Sequence, residues 1–301
     1  MKRVFFTFVL AVVAIVGVNA QLLYKISCNG LEYPSYIVGT YHLAPASFVD
    51  SIPGARDVMT SVGQVCGELD MKDMQSPENL SKINAAMLLP EGKSLSDVLS
   101  ADEMDRLNAF MRETLGADLT NPMINMQLGK MTPAAISTQL QMIMYMKVTP
   151  GFNPASLIDI YFQSEAAKAG KPIIGLESVD FQISVLYKGS TLERQKEQLF
   201  CMVDNPEHTK KMLKGISAAY FAKDLMKLEA IADENLGNGC DSTPEEKEAL
   251  IYNRNAAWVD KVPEIVGKMP TLFVVGALHL PGERGVLELL RQKGYTVESV
   301  E

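Results

Sequence analysis

The chain has 301 residues, of which 47% are hydrophobic and 21% are charged, and its formal net charge at neutral pH is -8. This composition is that of a globular protein, and the length suits one large α/β domain or two lobes that share a sheet. The negative charge argues against a nucleic acid or an anionic membrane as the partner.

Residues 1–20 have the pattern of a secretory signal peptide. Two basic residues precede the apolar run 4–18, and small residues stand at a cleavage point before Gln21. The run is short for a membrane span, and no later stretch is long enough. We therefore expect residues 21–301 to form an exported domain, periplasmic or secreted, with no membrane span after cleavage.

Four cysteines would travel with this domain to an oxidising compartment, where disulfides persist: Cys28, Cys66, Cys201 and Cys240. Cys201 and Cys240 both lie in the helical second half, so this is the pair that we expect to be bonded first. The sequence alone leaves the connectivity open, and none of the spacings is that of a zinc site.

The N-terminal part of the domain is predicted to begin with a hairpin. Two strands, at 22–27 and 35–38, flank the turn signal Asn29-Gly30. A helix is expected after them, with Ser51 as its N-cap and Gly63 near its end.

The middle of the chain is predicted to be mostly helical. A short strand at 64–70 ends in two acids, Glu68 and Asp70, and residues 77–146 then have the pattern of several helices. A break near 147–153 would separate two lobes if the domain has them.

The second half continues with a helix at 154–169 and a strand at 173–178. More helices follow, and Thr243 with Glu246 forms a capping box for the helix that carries Arg254. A strand, a loop, a helix and a last strand complete the chain. The alternation of strands and helices indicates an α/β fold.

Two loops with the same pattern lie near opposite ends of the chain. Each has an apolar strand, then Gly-x-x-His-Leu, then a proline, at residues 36–45 and 272–281. They carry His42 and His279, two of the three histidines in the protein. Since strand-to-helix loops are where open α/β sheets bind their ligands, we expect both imidazoles to face one cleft.

Four strand ends therefore carry polar groups: His42, Glu68, Glu177 and His279. Because the ends of parallel strands meet at one edge of a sheet, we expect these groups to converge. Two imidazoles with one or two carboxylates suit a divalent metal such as Mn, Co or Zn. With a metal, Glu68 would be a ligand or the base that activates a bound water. Without a metal, a His–Glu pair could still act, with one residue as the general base and the other holding it in orientation. The alternative for each acid is a solvated strand end or a helix cap.

Arg254 lies one helical turn from Trp258 on the same face of its helix. An arginine that faces the carboxylates would clamp an anion or an oxyanion, and we then expect Glu68, His42 and Arg254 to be the catalytic residues. The alternative is an ion pair at the surface. His208 has no comparable neighbours and is left out of the site.

These motifs resemble the TraB/GumN family, which is related to the TIKI proteins. The resemblance rests on the two histidine loops, and it covers essentially residues 22–300. Its further matches are Glu68, Gly175-Leu176-Glu177 with Gln182, Asp159 ahead of them, and Arg254-Asn255. It implies a fold akin to the ChaN and erythromycin-esterase-like group, with a mostly parallel central sheet, many flanking helices and both Gly-x-x-His loops at one edge.

The same resemblance implies an activity, since TIKI proteins are metalloproteases that act on secreted protein ligands. His42, Glu68 and His279 would then form the core of a metal site, with Glu177 as a further ligand. Two other functions stay open. One is a non-enzymatic protein that sequesters a peptide or a metal-bearing ligand, and the other is a metal-free, esterase-like hydrolase. Each of them takes a peptide or a small molecule in a cleft.

Overall fold

The computed structural model describes residues 21–27, 30–149 and 151–301. The predicted signal peptide at 1–20 lies outside the described residues, and so do Cys28 and the Asn29 of the hairpin signal. Among the helices of the described ranges, none has both the length and the apolar character that crossing a membrane requires.

A six-stranded mixed sheet forms the centre of the protein. Its strands are β1 Leu23–Ser27, β2 Ser35–Thr40, β3 Gln64–Gly67, β4 Ile173–Gly175, β5 Thr271–Gly276 and β6 Thr296–Ser299. Their order across the sheet is β4-β3-β5-β2-β1-β6. The first four of this order run parallel, whereas β1 is antiparallel to both β2 and β6. The predicted α/β class and the predicted strands near both ends of the chain are confirmed.

Fifteen α-helices in the described ranges pack on the sheet or on one another. They are α1 Ala55–Ser61, α2 Met71–Met74, α3 Pro77–Ala86, α4 Leu95–Val98, α5 Ala101–Leu115, α6 Pro122–Leu128, α7 Pro133–Val148, α8 Ile158–Lys168, α9 Val179–Leu186, α10 Leu192–Asp204, α11 Pro206–Phe221, α12 Leu225–Ala232, α13 Pro244–Lys247, α14 Asn253–Lys268 and α15 Val286–Gln292. Short 3-10 helices span Ala46–Ser51 and Ala277–His279, and a π-helical turn at Glu248–Tyr252 leads into α14.

The register of the parallel strands decides where the loops lie. Thr40 is opposite Gly276 across the β2–β5 pair, and Gly67 is opposite Val274 across the β3–β5 pair. Gly67 also faces Gly175 of β4. The four strands therefore end within two residues of each other, and the residues that follow them share one edge of the sheet.

Two large hydrophobic clusters hold the structure together. The first surrounds the sheet and includes Phe273 and Trp258, which are almost completely buried. The second lies among α5, α7 and α10 and includes Leu107, Ile136 and Leu199. Burial of apolar surface at about 25 cal/mol per Å² makes such clusters the main source of stability. The division into two lobes near 147–153 stays a prediction.

Two helix starts differ from the sequence prediction. Ser51 ends a 3-10 helix, and the N-cap of α1 is Gly54. Gly54 has a φ of 71°, a left-handed conformation that serine would adopt only with strain. The helix expected from residue 154 begins at Ile158, because Leu157 is held extended by a β-bridge to Pro45.

Cys201 and Cys240, the pair expected first, form a disulfide with Cα atoms 5.5 Å apart. It joins α10 to the loop after α12 and closes a loop with a sequence separation of 39. We expect the Cys201→Ser, Cys240→Ser double variant to lose about 2–4 kcal/mol of unfolding free energy, chiefly because its unfolded chain is freer. Urea unfolding measures this loss.

Reduction of the wild-type protein provides the matched control, because it opens the same loop without any substitution. The reduced protein and the double variant should unfold at the same urea concentration. An unchanged unfolding midpoint in both samples would show that this bond does not stabilise the fold.

Candidate functional site

The glycines of the two histidine loops allow the loops to approach each other. A Cβ at Gly39 would lie 2.7 Å from the Leu280 side chain and 3.1 Å from the Ala277 Cα, so the first loop packs directly on the second. A Cβ at Gly276 would lie 3.3 Å from a carboxylate oxygen of Glu68. A side chain at Gly39 would therefore collide with the second loop, whereas one at Gly276 would press on Glu68 and His279.

His42 stands on the first loop and is oriented by Asp159, in the first turn of α8. Its Nδ1 lies 3.0 Å from Asp159 Oδ2, and the hydroxyl of Thr40 donates to the other oxygen of the same carboxylate. The hydrogen bond to Asp159 raises the pKa of His42 to about 9. The side chain is 74% exposed, so water reaches the ring and the carboxylate contact determines its protonation. Its Nε2 has no protein partner among the described residues.

His279 is buried on the second loop and is held on both ring nitrogens. Nδ1 lies 2.6 Å from Asn255 Oδ1, and Nε2 lies 3.2 Å from Arg254 Nη1. The Asn255 amide nitrogen donates to the carbonyl of Arg284, which leaves Oδ1 as the acceptor for the His279 Nδ1 proton. Burial lowers the pKa of His279 to about 4, so the ring is neutral and its Nε2 accepts from Arg254.

Arg254 connects the acids to this histidine. Its Nη2 donates to Glu68 Oε2 at 2.7 Å and to Glu177 Oε2 at 3.0 Å, and its Nε donates to Glu177 Oε1 at 2.9 Å. Its Nη1 donates to the Leu250 carbonyl at 3.0 Å and to His279. All five N–H groups of the guanidinium therefore have a partner, and the side chain is only 8% exposed.

Glu68 lies at the centre of the site, one residue beyond β3. Its Oε1 accepts from the Gly276 backbone N–H at 2.7 Å, and its Oε2 accepts from Arg254 and, at 3.3 Å, from Gln182. Burial opposes its ionisation, but the surrounding charges and the Gly276 hydrogen bond outweigh this effect and lower the pKa of Glu68. The carboxylate is therefore ionised at neutral pH.

Glu177 lies deeper, behind the guanidinium. Its Oε1 accepts from the Trp258 indole N–H at 2.8 Å, and its Oε2 accepts from Gln182 at 3.3 Å, in addition to the two bonds from Arg254. The Trp258 ring also contacts the His279 ring, with centroids 4.4 Å apart. Glu177 thus fixes Arg254 in place from the side away from the solvent.

An open cavity of about 300 Å³ gives solvent access to this network. His42, Glu68, Asp159 and Arg254 line it, whereas His279 lies behind Arg254 and does not. The chemistry available at the cavity is therefore a hydrogen-bonded, protonated His42 ring, an ionised carboxylate and a fixed positive charge.

The structure brings together in one network all five residues that the sequence placed in the site: His42, Glu68, Glu177, Arg254 and His279. The expectation that both imidazoles face one cleft is wrong, because Arg254 lies between His279 and the cavity. Of the neighbouring residues weighed earlier, Asp70 caps α2 by accepting from the Lys72 backbone N–H. His208 lines a separate cavity beside the disulfide.

Four residues of the network were missing from the predicted set. Asn255 and Trp258 are close to Arg254 in sequence, which was a usable signal for both. Gln182 lies one turn into α9 after Glu177. Asp159 was among the matches of the family resemblance, but nothing in the sequence paired it with His42, which lies 117 positions away.

The types of donor in the site suit a divalent metal, but their present arrangement does not hold one. Each histidine has its Nδ1 bonded to a side-chain oxygen, as metal-binding histidines usually do. In the described ranges, however, no three His, Cys, Asp or Glu side chains form a group that could hold an ion. The guanidinium of Arg254 bonds to both Glu68 and His279, so a metal ion would compete with it for these two donors.

The fold and the site define an α/β protein with a carboxylate–arginine–histidine network at the carboxyl edge of its parallel strands. Within that class the chain belongs to the TraB/PrgY/gumN family, whose model matches residues 22–299. The resemblance found in the sequence is therefore confirmed at the level of the family.

The chain is also similar to several proteins named metalloproteases. It is 24% identical to metalloprotease TIKI2 of Danio rerio over 88% of this chain and 58% of the relative. For metalloprotease TIKI1 of Homo sapiens the identity is 23%, over 88% of this chain and 59% of the relative. The chain thus spans less than two thirds of the length of these relatives. No solved structure gives a significant match.

Proposed function

We propose that this protein is an exported, metal-dependent hydrolase that cleaves peptide bonds. The observation that carries the proposal is the meeting of the oriented His42 ring with the ionised Glu68 at an open cavity, with a second oriented histidine, His279, behind Arg254. The names of the relatives support the same class of reaction. The apolar run at 4–18, with its small residues before Gln21, supports export.

His42, Glu68 and His279 would supply two ring nitrogens and a carboxylate to the metal. To bind it, Glu68 and His279 would have to exchange their hydrogen bonds with Arg254 for the ion. A divalent ion held there would act as a Lewis acid towards the scissile carbonyl and the attacking water. Glu177 has both of its oxygens bonded to Arg254, Trp258 or Gln182, so in this proposal it anchors Arg254.

The remaining work falls to side chains of the chain itself. Asp159 and Asn255 orient the two histidine rings, because each accepts the Nδ1 proton. On metal binding, His42 would lose its Nε2 proton and the Nε2 of His279 would lose its hydrogen bond from Arg254. In its alternative role, Glu68 would accept the proton of the attacking water instead of binding the metal. Arg254, which stays anchored by Glu177 and the Leu250 carbonyl, would supply positive charge close to the carbonyl on which negative charge develops.

Metal analysis and peptide cleavage with the purified mature protein test this function. We expect stoichiometric bound divalent metal, cleavage of a mixed peptide library, and loss of cleavage after chelation that returns when metal is added back. Cleavage that survives complete removal of metal would contradict the metal dependence. Peptide binding without any cleavage would support a sequestering protein instead.

The Glu68→Gln variant tests the role of the central carboxylate, because it keeps the shape and removes the charge. We expect the rate of cleavage to fall by at least about a hundredfold. Glu78→Gln is the matched control, since that side chain is 79% exposed and lies outside the site. Near-normal turnover in Glu68→Gln would show that Glu68 is structural and would overturn the mechanism.

A further inference from the structure

Apolar side chains form most of the remaining wall of the cavity beside His42 and Glu68. They come from the loop after β3, from α2, from the start of α8 and from the end of α9: Leu69, Met71, Met74, Leu157, Ile160 and Leu186. Every charged residue that lines the cavity belongs to the network described above. The cavity therefore combines a charged catalytic side with an uncharged, apolar side.

Gln163 fixes part of this apolar wall. Its amide nitrogen donates to the Leu69 carbonyl at 2.8 Å, and its amide oxygen accepts from the Met71 backbone N–H at 2.9 Å. Both ends of the amide are therefore bonded to the loop that carries the wall. Gln163 also lines the cavity, and its two hydrogen bonds hold the backbone of Leu69 and Met71 in position.

The size of the cavity limits what can enter it. A volume of about 300 Å³ is near the lower end of the range for ligand sites, which suits one or two side chains of an extended peptide. Met71 and Met74 are unbranched thioethers that can adapt to chains of different shape. Leu186 is 50% exposed, so it presents apolar surface to solvent beside the cavity.

We infer that this wall is a specificity subsite that takes an uncharged aliphatic side chain of the substrate, next to the bond that is cleaved. The inference rests on the proposed peptide hydrolysis for its place in a reaction, but the binding preference follows from the wall alone. An aliphatic chain would bury its surface against leucine, isoleucine and methionine. A charged chain would lose its hydration there without finding a partner.

Binding of short peptides tests the preference without any need for cleavage. The probes are acetyl-Gly-Xaa-Gly-amide peptides with norleucine, glutamate or lysine at Xaa, titrated into the mature protein in a calorimeter. We expect the norleucine peptide to bind at least about tenfold more tightly than either charged peptide, the usual discrimination of a hydrophobic pocket. Equal affinities, or tighter binding of a charged peptide, would overturn the inference.

Leu186→Asp tests whether the wall causes this preference, and its exposure makes the substitution compatible with folding. We expect about tenfold weaker binding of the norleucine peptide and tighter binding of the lysine peptide. Met126→Asp is the matched control, since Met126 is 76% exposed and does not line the cavity. An unchanged preference in Leu186→Asp would contradict the subsite.

The two hypotheses fail in different ways. If the norleucine peptide binds with the expected preference and no peptide is cleaved, the hydrolase function fails and the subsite stands. If peptides are cleaved but bind without regard to Xaa, the subsite fails and the hydrolase function stands.

Discussion

The His42→Ala protein is expected to lose at least a hundredfold in its rate of peptide cleavage, a typical effect of removing a positioned catalytic group, and to remain about as stable as the wild type. The loss follows because His42 lines the cavity and because its Nε2 has no protein partner in the described part of the chain. Its stability should change little, since the side chain is 74% exposed and packs against little of the core. Values of kcat/KM and thermal unfolding of the same samples measure both effects.

The other two histidines provide the comparison. His208→Ala removes the histidine beside the disulfide and should leave the rate and the unfolding temperature unchanged. His279→Ala should lower both, because His279 is buried and bonded to Asn255 and Arg254. Full activity of His42→Ala, or an equal loss in His208→Ala, would exclude His42 from the reaction.

The strands and the two histidine loops could be predicted because their signals are local. Short apolar runs such as Leu272–Val275 mark buried strands, and a glycine followed by a histidine and a proline marks the end of each run. Parallel strands align their carboxyl ends whatever lies between them in sequence. His42 and His279 could therefore be brought together although 237 positions separate them, from 42 to 279.

The partners of these residues could not be predicted, because tertiary packing selects them. Asp159 reaches His42 only because Leu157 pairs with Pro45 and delays the start of α8. Arg254 was open to two interpretations, an anion clamp or an ion pair at the surface. The burial of its side chain, which is only 8% exposed, excludes the ion pair at the surface. That burial is produced by the strand and helices packed around Arg254, so the residues next to it in sequence do not predict it.

The Arg254→Met protein is expected to lose about 3–5 kcal/mol of unfolding free energy, the usual cost of removing one partner from a buried ion pair. The substitution keeps most of the volume, but it leaves Glu68 and Glu177 facing each other without a cation. Burial, with the Glu177 carboxylate nearby and no cation between them, should then raise the pKa of Glu68 in the folded state. The folded variant would then bind more protons than its unfolded chain. Its loss of unfolding free energy relative to the wild type should therefore become smaller as the pH falls from 7 towards 5.

The control is Arg56→Met, because Arg56 pairs with Asp50 at the surface and its side chain is 57% exposed. A pair this exposed contributes little to stability, so the two variants separate a buried network from an ordinary ion pair. Without its guanidinium the site should also bind Mn²⁺ or Zn²⁺ more readily, since these ions no longer compete with Arg254 for Glu68 and His279. Added metal should therefore raise the Tm of Arg254→Met more than that of the wild type. If Arg254→Met unfolds like Arg56→Met and ignores added metal, the network does not stabilise the fold and the proposed competition between metal and guanidinium is wrong.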